Sequence, residues 1–275
     1  HSGYQMYDYI STDILKKNIR SGARMLGLQI FASSYDNDAI PIVSNGYKEG
    51  QWKMTANYIS LEDCLKVIQD NAFKVASLDS GAPNPSDPLF LSLDLNFERS
   101  TRLIGKIQRL ITKYLMSYLL DSNYSYAYRE KNIADVKLGD LRRKVVIFTS
   151  SGFQGTKLEE IVNYCWEYPH MKRMYYKQIE HLHQGKNPAE ESVHNTEVNK
   201  ETKENMIEYN KNNITILTPH TEGDFISKNY NPNHGWDLGC QFVSMNYQIV
   251  DTHIDTYMTK FRNFSIILKP KKMRN

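Results

Sequence analysis

Apolar positions recur along this chain with two alternating periods. Ile14, Leu15 and Ile19 fall at helical spacing within residues 11–21, and the apolar run 24–31 that follows predicts a buried strand. Residues 40–43 predict a second short strand, stopped by the turn signal Ser44-Asn45-Gly46. Ser60, with Asp63 at the capping-box position, opens a helix whose stripe is Leu61, Cys64, Leu65, Ile68 and Phe73. Residues 88–95 read as a buried strand, and the helix after it lines Leu103, Ile104, Ile107, Leu110, Ile111, Tyr114 and Leu115 along one side. Residues 145–148 are again a strand, and Thr156 with Glu159 forms a second capping box ahead of Leu158, Ile161, Val162 and Cys165.

The rhythm breaks at residues 183–213, where Glu, Asn, Lys and Thr dominate and Val193, Val198, Met206 and Ile207 are the large aliphatics. This composition predicts a solvated, mobile loop with room for one short helix. Residues 214–217 then read as a strand, 229–235 as turn, 241–248 and 265–268 as the last strands, and the ending 269–274 is basic. Strands alternating with amphipathic helices imply parallel βαβ units and an α/β fold. A count near eight strands favours a closed (β/α)8 TIM-type barrel over an open doubly wound sheet. The length, 275 residues, suffices for one such domain.

Composition narrows the function classes. The net charge of +3, from 34 basic and 31 acidic residues, is too balanced for nucleic acid as the main partner. Cys64, Cys165 and Cys240 fit neither zinc nor disulfide spacing and predict reduced thiols in a cytoplasmic setting. No apolar run is long enough to span a membrane. The chain begins with His and shows no signal-like leader, so the simplest reading is a piece of a longer protein.

Chemistry in such a barrel belongs at the C-terminal ends of strands. Asp94 stands out there, because it interrupts the apolar run Leu91-Ser92-Leu93-Asp94-Leu95. A carboxylate so placed serves as a ligand or base, or else is a strand-end group held by backbone amides or a neighbouring Lys. His1 is a candidate proton carrier, but one imidazole is not a site. Among the other histidines, His181 and His183 are two apart on a predicted helix and do not share a face. No metalloprotease, paired-cysteine, dinucleotide or phosphate-loop motif occurs, and Gly152-Phe153-Gln154-Gly155 is too short to argue for phosphate binding.

The spacing of several motifs resembles the X and Y halves of phosphoinositide-specific phospholipase C. In the X half these are His1-Ser2-Gly3-Tyr4, Gly22-Ala23-Arg24-Met25-Leu26, Ala72-Phe73, residues 88–94 and residues 141–147. In the Y half they are Asn229-Tyr230-Asn231-Pro232, Trp236, Gly239-Cys240-Gln241, Asn246-Tyr247-Gln248, Asp255 and Leu268-Lys269-Pro270. The resemblance implies a single phospholipase C-like barrel, with an X half at about 1–150 and a Y half at about 156–270. It also implies flanking domains in a larger signalling protein, and an anionic membrane surface or a phosphoinositide as partner. The location it implies is cytoplasmic, at the membrane periphery.

Carried over position by position, the resemblance implies a depleted site. Members of the family cleave the phosphodiester with two histidines and a calcium ion held by Asn, Glu, Asp and Glu. The first histidine matches His1, and the place of the second is Asn45. The calcium positions fall at Ser2, Gly27, Gln29 and Asp94. Two lysines that grip ring phosphates fall near Phe148 and Ser150, and an Arg and a Tyr fall at Ile216 and Thr218. Calcium wants several hard oxygens, so no cofactor is expected here. The acidic insertion that many members carry between the halves is short in this chain. The expectation is therefore a catalytically impaired or inactive domain acting as a scaffold or binding module. The alternative is an active phosphatidylinositol phosphodiesterase with relocated groups, for which His220 and His234 are the candidates.

The loss of apolar periodicity generates a first prediction. Limited proteolysis of the folded chain is expected to cut first within 183–213, and first cuts inside 88–115 would contradict it.

Overall fold

A computed structural model describes residues 9–49, 51–54, 56–128, 133–166, 169–184, 202–219, 228–247 and 249–274. The chain divides into two compact units, Ser2–Trp166 and Glu167–Asn275. In chain order the first contains α1 (Thr12–Arg20), β1 (Met25–Ala32), β2 (Pro41–Val43), β3 (Gly46–Glu49), β4 (Gln51–Met54), β5 (Ile59–Ser60) and α2 (Leu61–Asn71). It continues with β6 (Leu89–Leu95), α3 (Thr101–Leu115), β7 (Val145–Thr149) and β8 (Tyr164–Cys165). One sheet runs in the order β5-β2-β1-β6-β7-β8. The run β1-β6-β7-β8 is parallel, β2 pairs antiparallel with β1 and β5, and β3-β4 is a separate hairpin.

Each helix begins where a short hydroxyl side chain supplies an acceptor for an orphan amide. Ser11, Ser60 and Ser100 accept from the amides of Ile14, Asp63 and Leu103. The apolar stripe of α3 is then buried: Ile107, Ile111 and Leu115 are wholly enclosed, as are Leu65 and Ile68 of α2. They share the core with Leu89, Leu91 and Leu93 of β6 and Val145 and Ile147 of β7. At Thr156 the predicted helix stops after one 3-10 turn, Lys157–Glu160. Its carbonyls are claimed from outside: Ala127 donates to Glu159 O, Tyr126 donates to Val162 O, and Asn163 N turns to Ile147 O.

Arg24, inside the run read as a strand, is 4% exposed and lies just ahead of β1. Its guanidinium donates to the carbonyls of Ala72 (2.6 Å), Pro88 (3.2 Å) and Asp87, and lies 5.2 Å from the Phe73 ring centroid. Burial lowers its pKa to about 10, so it is still a cation at neutral pH. It thereby joins the end of α2 to the start of β6.

The second unit contains β9 (Met171–Tyr175), α4 (Tyr176–His183), α5 (Lys203–Asn212), β10 (Ile214–Thr218), α6 (Pro232–Asp237), β11 (Phe242–Val243) and α7 (Thr252–Lys260). Its sheet is parallel in the order β11-β10-β9. The core gathers Met174, Tyr176, Ile179, Leu182, Met206, Leu217, Leu238, Val243 and Ile254. Within the predicted loop, residues 185–201 lie outside the described residues and 203–212 form α5. β9 escapes the periodicity because Lys172 and Arg173 occupy its middle. The Lys172 ammonium covers the Tyr209 ring at 4.2 Å.

The predicted strand 241–248 shrinks to β11, and 265–268 is irregular rather than a strand. In the first case side chains, not a neighbouring strand, take the backbone groups. Asn229 accepts from Asn246 N (2.7 Å) and donates to the carbonyls of Asn246 and Ile249. Asn210, wholly buried, donates to Leu238 O (2.8 Å) and accepts from the Thr215 hydroxyl (2.6 Å). Gln241 bridges Thr215 N and the carbonyls of Asn210 and Asn213. Cys64, Cys165 and Cys240 are buried and form no disulfide.

Replacing Arg24 removes its donors from the buried carbonyls of Ala72 and Pro88 and from the half-buried Asp87 carbonyl. Arg24→Met is expected to lower the unfolding free energy by about 3 kcal/mol or more in urea titration, against under about 1 kcal/mol for the exposed Arg20→Ala.

Candidate functional site

Alternation along β1 and β6 separates a core face from a polar face. On β1, Leu26, Leu28 and Ile30 are buried, while Gly27 is exposed and Gln29 half-buried. On β6, Leu89, Leu91 and Leu93 are buried, and Ser92 and Asp94 are half-buried. The parallel register places Gly27 opposite Ser92 and Gln29 opposite Asp94. Ser92 in turn pairs with Phe148 of β7. These residues thus share one face, with Gln29 and Asp94 near the C-terminal ends of their strands.

Asn45 joins them through its neighbours. Ser44 N donates to Gln29 O (3.2 Å), and Gly46 N donates to the Gln29 side-chain oxygen Oε1 (3.0 Å). The chain leaving β2 is therefore latched to β1 on both sides of Asn45. So Gly27, Gln29, Asn45 and Asp94 come together, while His1 and Ser2 lie outside the described residues.

The strand ends around Asp94 are closed by the hydroxyl and the backbone amide of Ser150. Leu95 N donates to the Ser150 hydroxyl (2.9 Å), and Ser150 N donates to Leu93 O (3.2 Å). Phe148 is wholly buried, stacked on Phe90 at 5.8 Å and edge-on to Tyr164 at 6.4 Å. Burial pushes the Tyr164 hydroxyl up to about 12, and that oxygen accepts from Ile133 N. The two positions matched to phosphate-gripping lysines are thus an aromatic core residue and a backbone clamp. Ile216 and Thr218, matched to an Arg and a Tyr, are both buried within β10. Gly152-Phe153-Gln154-Gly155 is a closed turn: Phe153 is wholly buried, and Gln154 Oε1 accepts from Gly152 N.

The residues present do not fit a calcium ion. Calcium takes six to eight oxygens, usually including several carboxylates. Gly27 offers no side chain, and a Cβ built there meets nothing within 4 Å. The carboxamide oxygen of Gln29 is taken by Gly46 N–H. Asp94 alone of the four matched positions is acidic. Among the described residues, no three His, Cys, Asp or Glu side chains are grouped so as to hold a metal.

His234, a candidate replacement histidine, stacks on His183 with ring centroids 4.5 Å apart. Its Nε2 meets Asn231 Nδ2 at 3.3 Å, and His183 Nε2 lies 4.0 Å from Asp237. Burial first, then the neighbouring His234, lowers the His183 pKa, which favours the neutral form of the His183 ring. His220 lies outside the described residues. The latch between Gln29 and Gly46 and the role of Arg24 carry no periodic signal, and sequence inspection missed both.

With this geometry in place, the chain was compared with known proteins. A family model described as phosphatidylinositol-specific phospholipase C, X domain, matches residues 2–151, and the Y-domain model of the same family matches 158–272. Among solved structures, PLC21 of L. pealei is similar at 20% identity and PLC21 of S. officinalis at 21%, both with TM-score 0.74. Each likeness covers 100% of this chain and 36% of the other, so the chain spans about a third of their length. That likeness shows the fold, the α/β barrel fold of phospholipase C phosphodiesterases. No curated protein matches by sequence.

The open space at Gly27 generates a prediction about tolerance. Gly27→Glu is expected to change the unfolding free energy by under about 1 kcal/mol, since nothing must move and strand Gly is entropically costly. Gly235→Ala is expected to cost about 1–3 kcal/mol, because its Cβ would lie 2.4 Å from Leu217 Cδ1 and 3.1 Å from Val243 Cγ2. Paired denaturant titrations check both.

Proposed function

The chain belongs to the phosphatidylinositol-specific phospholipase C family, and from that premise we propose that it is a catalytically inactive member acting as a scaffold or binding module of a larger signalling protein. One observation carries the proposal. The two β1 positions that would bring carboxylates to a metal are Gly27 and Gln29, and the Gln29 oxygen is spent on Gly46 N–H.

Cleaving a phosphodiester gathers negative charge on the phosphoryl oxygens and moves two protons. A site for it needs a cation at the phosphate and groups that carry protons. Asn45 can donate a hydrogen bond but cannot shuttle a proton. Phe148 and Ser150 bring no charge where lysines would grip a phosphate. His1 is the one imidazole at a matched position. The fold supports retention of a shaped domain whose use is binding. The 36% coverage of the similar structures supports its place within a longer protein with flanking domains. The partners proposed are those domains and a phosphoinositide-bearing anionic membrane surface, with a cytoplasmic, peripheral location.

Hydrolysis of phosphatidylinositol or its bisphosphate is expected at least about 10⁴-fold below an active relative, one acid/base loss at its upper range being the floor. Asn45→His alone is expected to leave this unchanged. The combination Ser2→Asn, Gly27→Glu, Gln29→Asp and Asn45→His is expected to create calcium binding measurable by calorimetry, absent from the unmodified chain. Calcium-dependent release of inositol phosphate by the unmodified chain would overturn the proposal in favour of relocated catalytic groups.

A further inference from the structure

The end of the second unit departs from the usual burial of large apolar side chains. Met258, Phe264, Ile267 and Leu268 are all exposed, Phe264 by 67% and Leu268 by 73%. Large apolar groups clustered along one short stretch seldom lie bare without a partner. These lie in a stretch where only basic residues carry charge. Lys260, Arg262, Lys269, Lys271, Lys272 and Arg274 fall within 258–274, and no acidic residue does. Since the chain totals +3, its other residues together are net acidic.

This stretch is anchored rather than loose. Phe261 packs against Trp236 and Tyr257, with ring centroids at 6.0 and 4.8 Å. The Lys260 ammonium sits 4.0 Å over the Trp236 ring. Further on, Lys269 Nζ donates to Asn210 O at 2.6 Å, and Met273 is buried beside Gly239. Between the anchors, residues 262–268 form an irregular arch that turns Phe264 and Leu268 outward. Lys271 and Lys272 are exposed just beyond it. Burial holds the Lys269 ammonium down at about 8, which marks it as an anchor rather than part of the outward charge.

We infer that the arch 258–274 is a docking surface for an anionic lipid bilayer, with Phe264, Ile267 and Leu268 entering the interface while Lys260, Arg262, Lys271, Lys272 and Arg274 meet the headgroups. Apolar residues interleaved with Lys and Arg are the composition of interfacial segments. Each basic residue held near an anionic leaflet strengthens binding about fivefold, and more than one such contact is needed for stable attachment. The six basic residues of the arch, with no acidic residue among them, complement an anionic bilayer, and the inference rests on the membrane partner proposed above. The inference does not rest on loss of hydrolysis.

The test is co-sedimentation of the full chain with vesicles of phosphatidylcholine, or of equal parts phosphatidylcholine and phosphatidylserine, neither of which is a phosphoinositide. Binding is expected to the mixed vesicles, weakening as salt is added. Lys271→Gln with Lys272→Gln is expected to weaken it roughly thirtyfold. Phe264→Ser with Leu268→Ser is expected to weaken it about tenfold or more with charge unchanged. All four side chains are exposed, so circular dichroism should be unaltered. Equal binding by either variant, no binding to the mixed vesicles, or self-association abolished by Phe264→Ser with Leu268→Ser would overturn the inference.

Discussion

The parallel register of β1 against β6 is the constraint from which the rest of the first unit follows. Six residue pairs, Met25↔Phe90 to Ile30↔Leu95, fix which side chains turn toward the helices and which toward the polar face. A slip of one residue would exchange Leu26, Leu28 and Leu93 with Gly27, Gln29 and Asp94. Burial of Leu89, Leu91 and Leu93 in the core forbids it. The candidate site is therefore a by-product of core packing. Its residues are held in place whether or not they have chemistry to perform.

That separation lets the fold persist whichever residues stand on the polar face. Arg24 binds three backbone carbonyls, and Asn210, Gln241 and Asn229 do comparable service in the second unit. Several of these fall within the motifs through which the chain resembles its family. What they preserve is backbone geometry, since buried amides and carbonyls must be paired. Gly27 makes none of these bonds, and a Cβ built there meets nothing within 4 Å.

Polar side chains stand in for regular structure throughout the second unit. Strand pairing is short at β11, and the segment after it is held by Asn229 and Asn246 rather than by a ladder. Residues 262–268 of this unit form an irregular arch pinned at a few points. An arch pinned at Phe261 and Lys269 leaves Phe264 and Leu268 on the outside, where the core cannot reach them.

Much of this was legible in the residues alone. Helical spacing located α1, α2 and α3, and short, mostly apolar runs located β1, β6, β7 and β10, because burial on a core selects those patterns directly. That Gly27, Gln29 and Asn45 stand at the positions matched by the resemblance was read from the residues alone, since a side chain's identity needs no coordinates. Tertiary structure decided what periodicity does not encode. β9 forms from Met171-Lys172-Arg173-Met174-Tyr175 because β10 supplies its ladder, and Lys172 can lie across Tyr209. Residues 265–268 are not a strand, because an apolar run becomes one only where a neighbour offers free amides and carbonyls. The turn after Thr156 ends early because residues 126 and 127, some thirty positions away, take its carbonyls. The Gln29 oxygen faces Gly46 N–H rather than a ligand for the same reason. A hydrogen-bonding group pairs with whatever the fold brings nearest, and that proximity is a property of the folded chain.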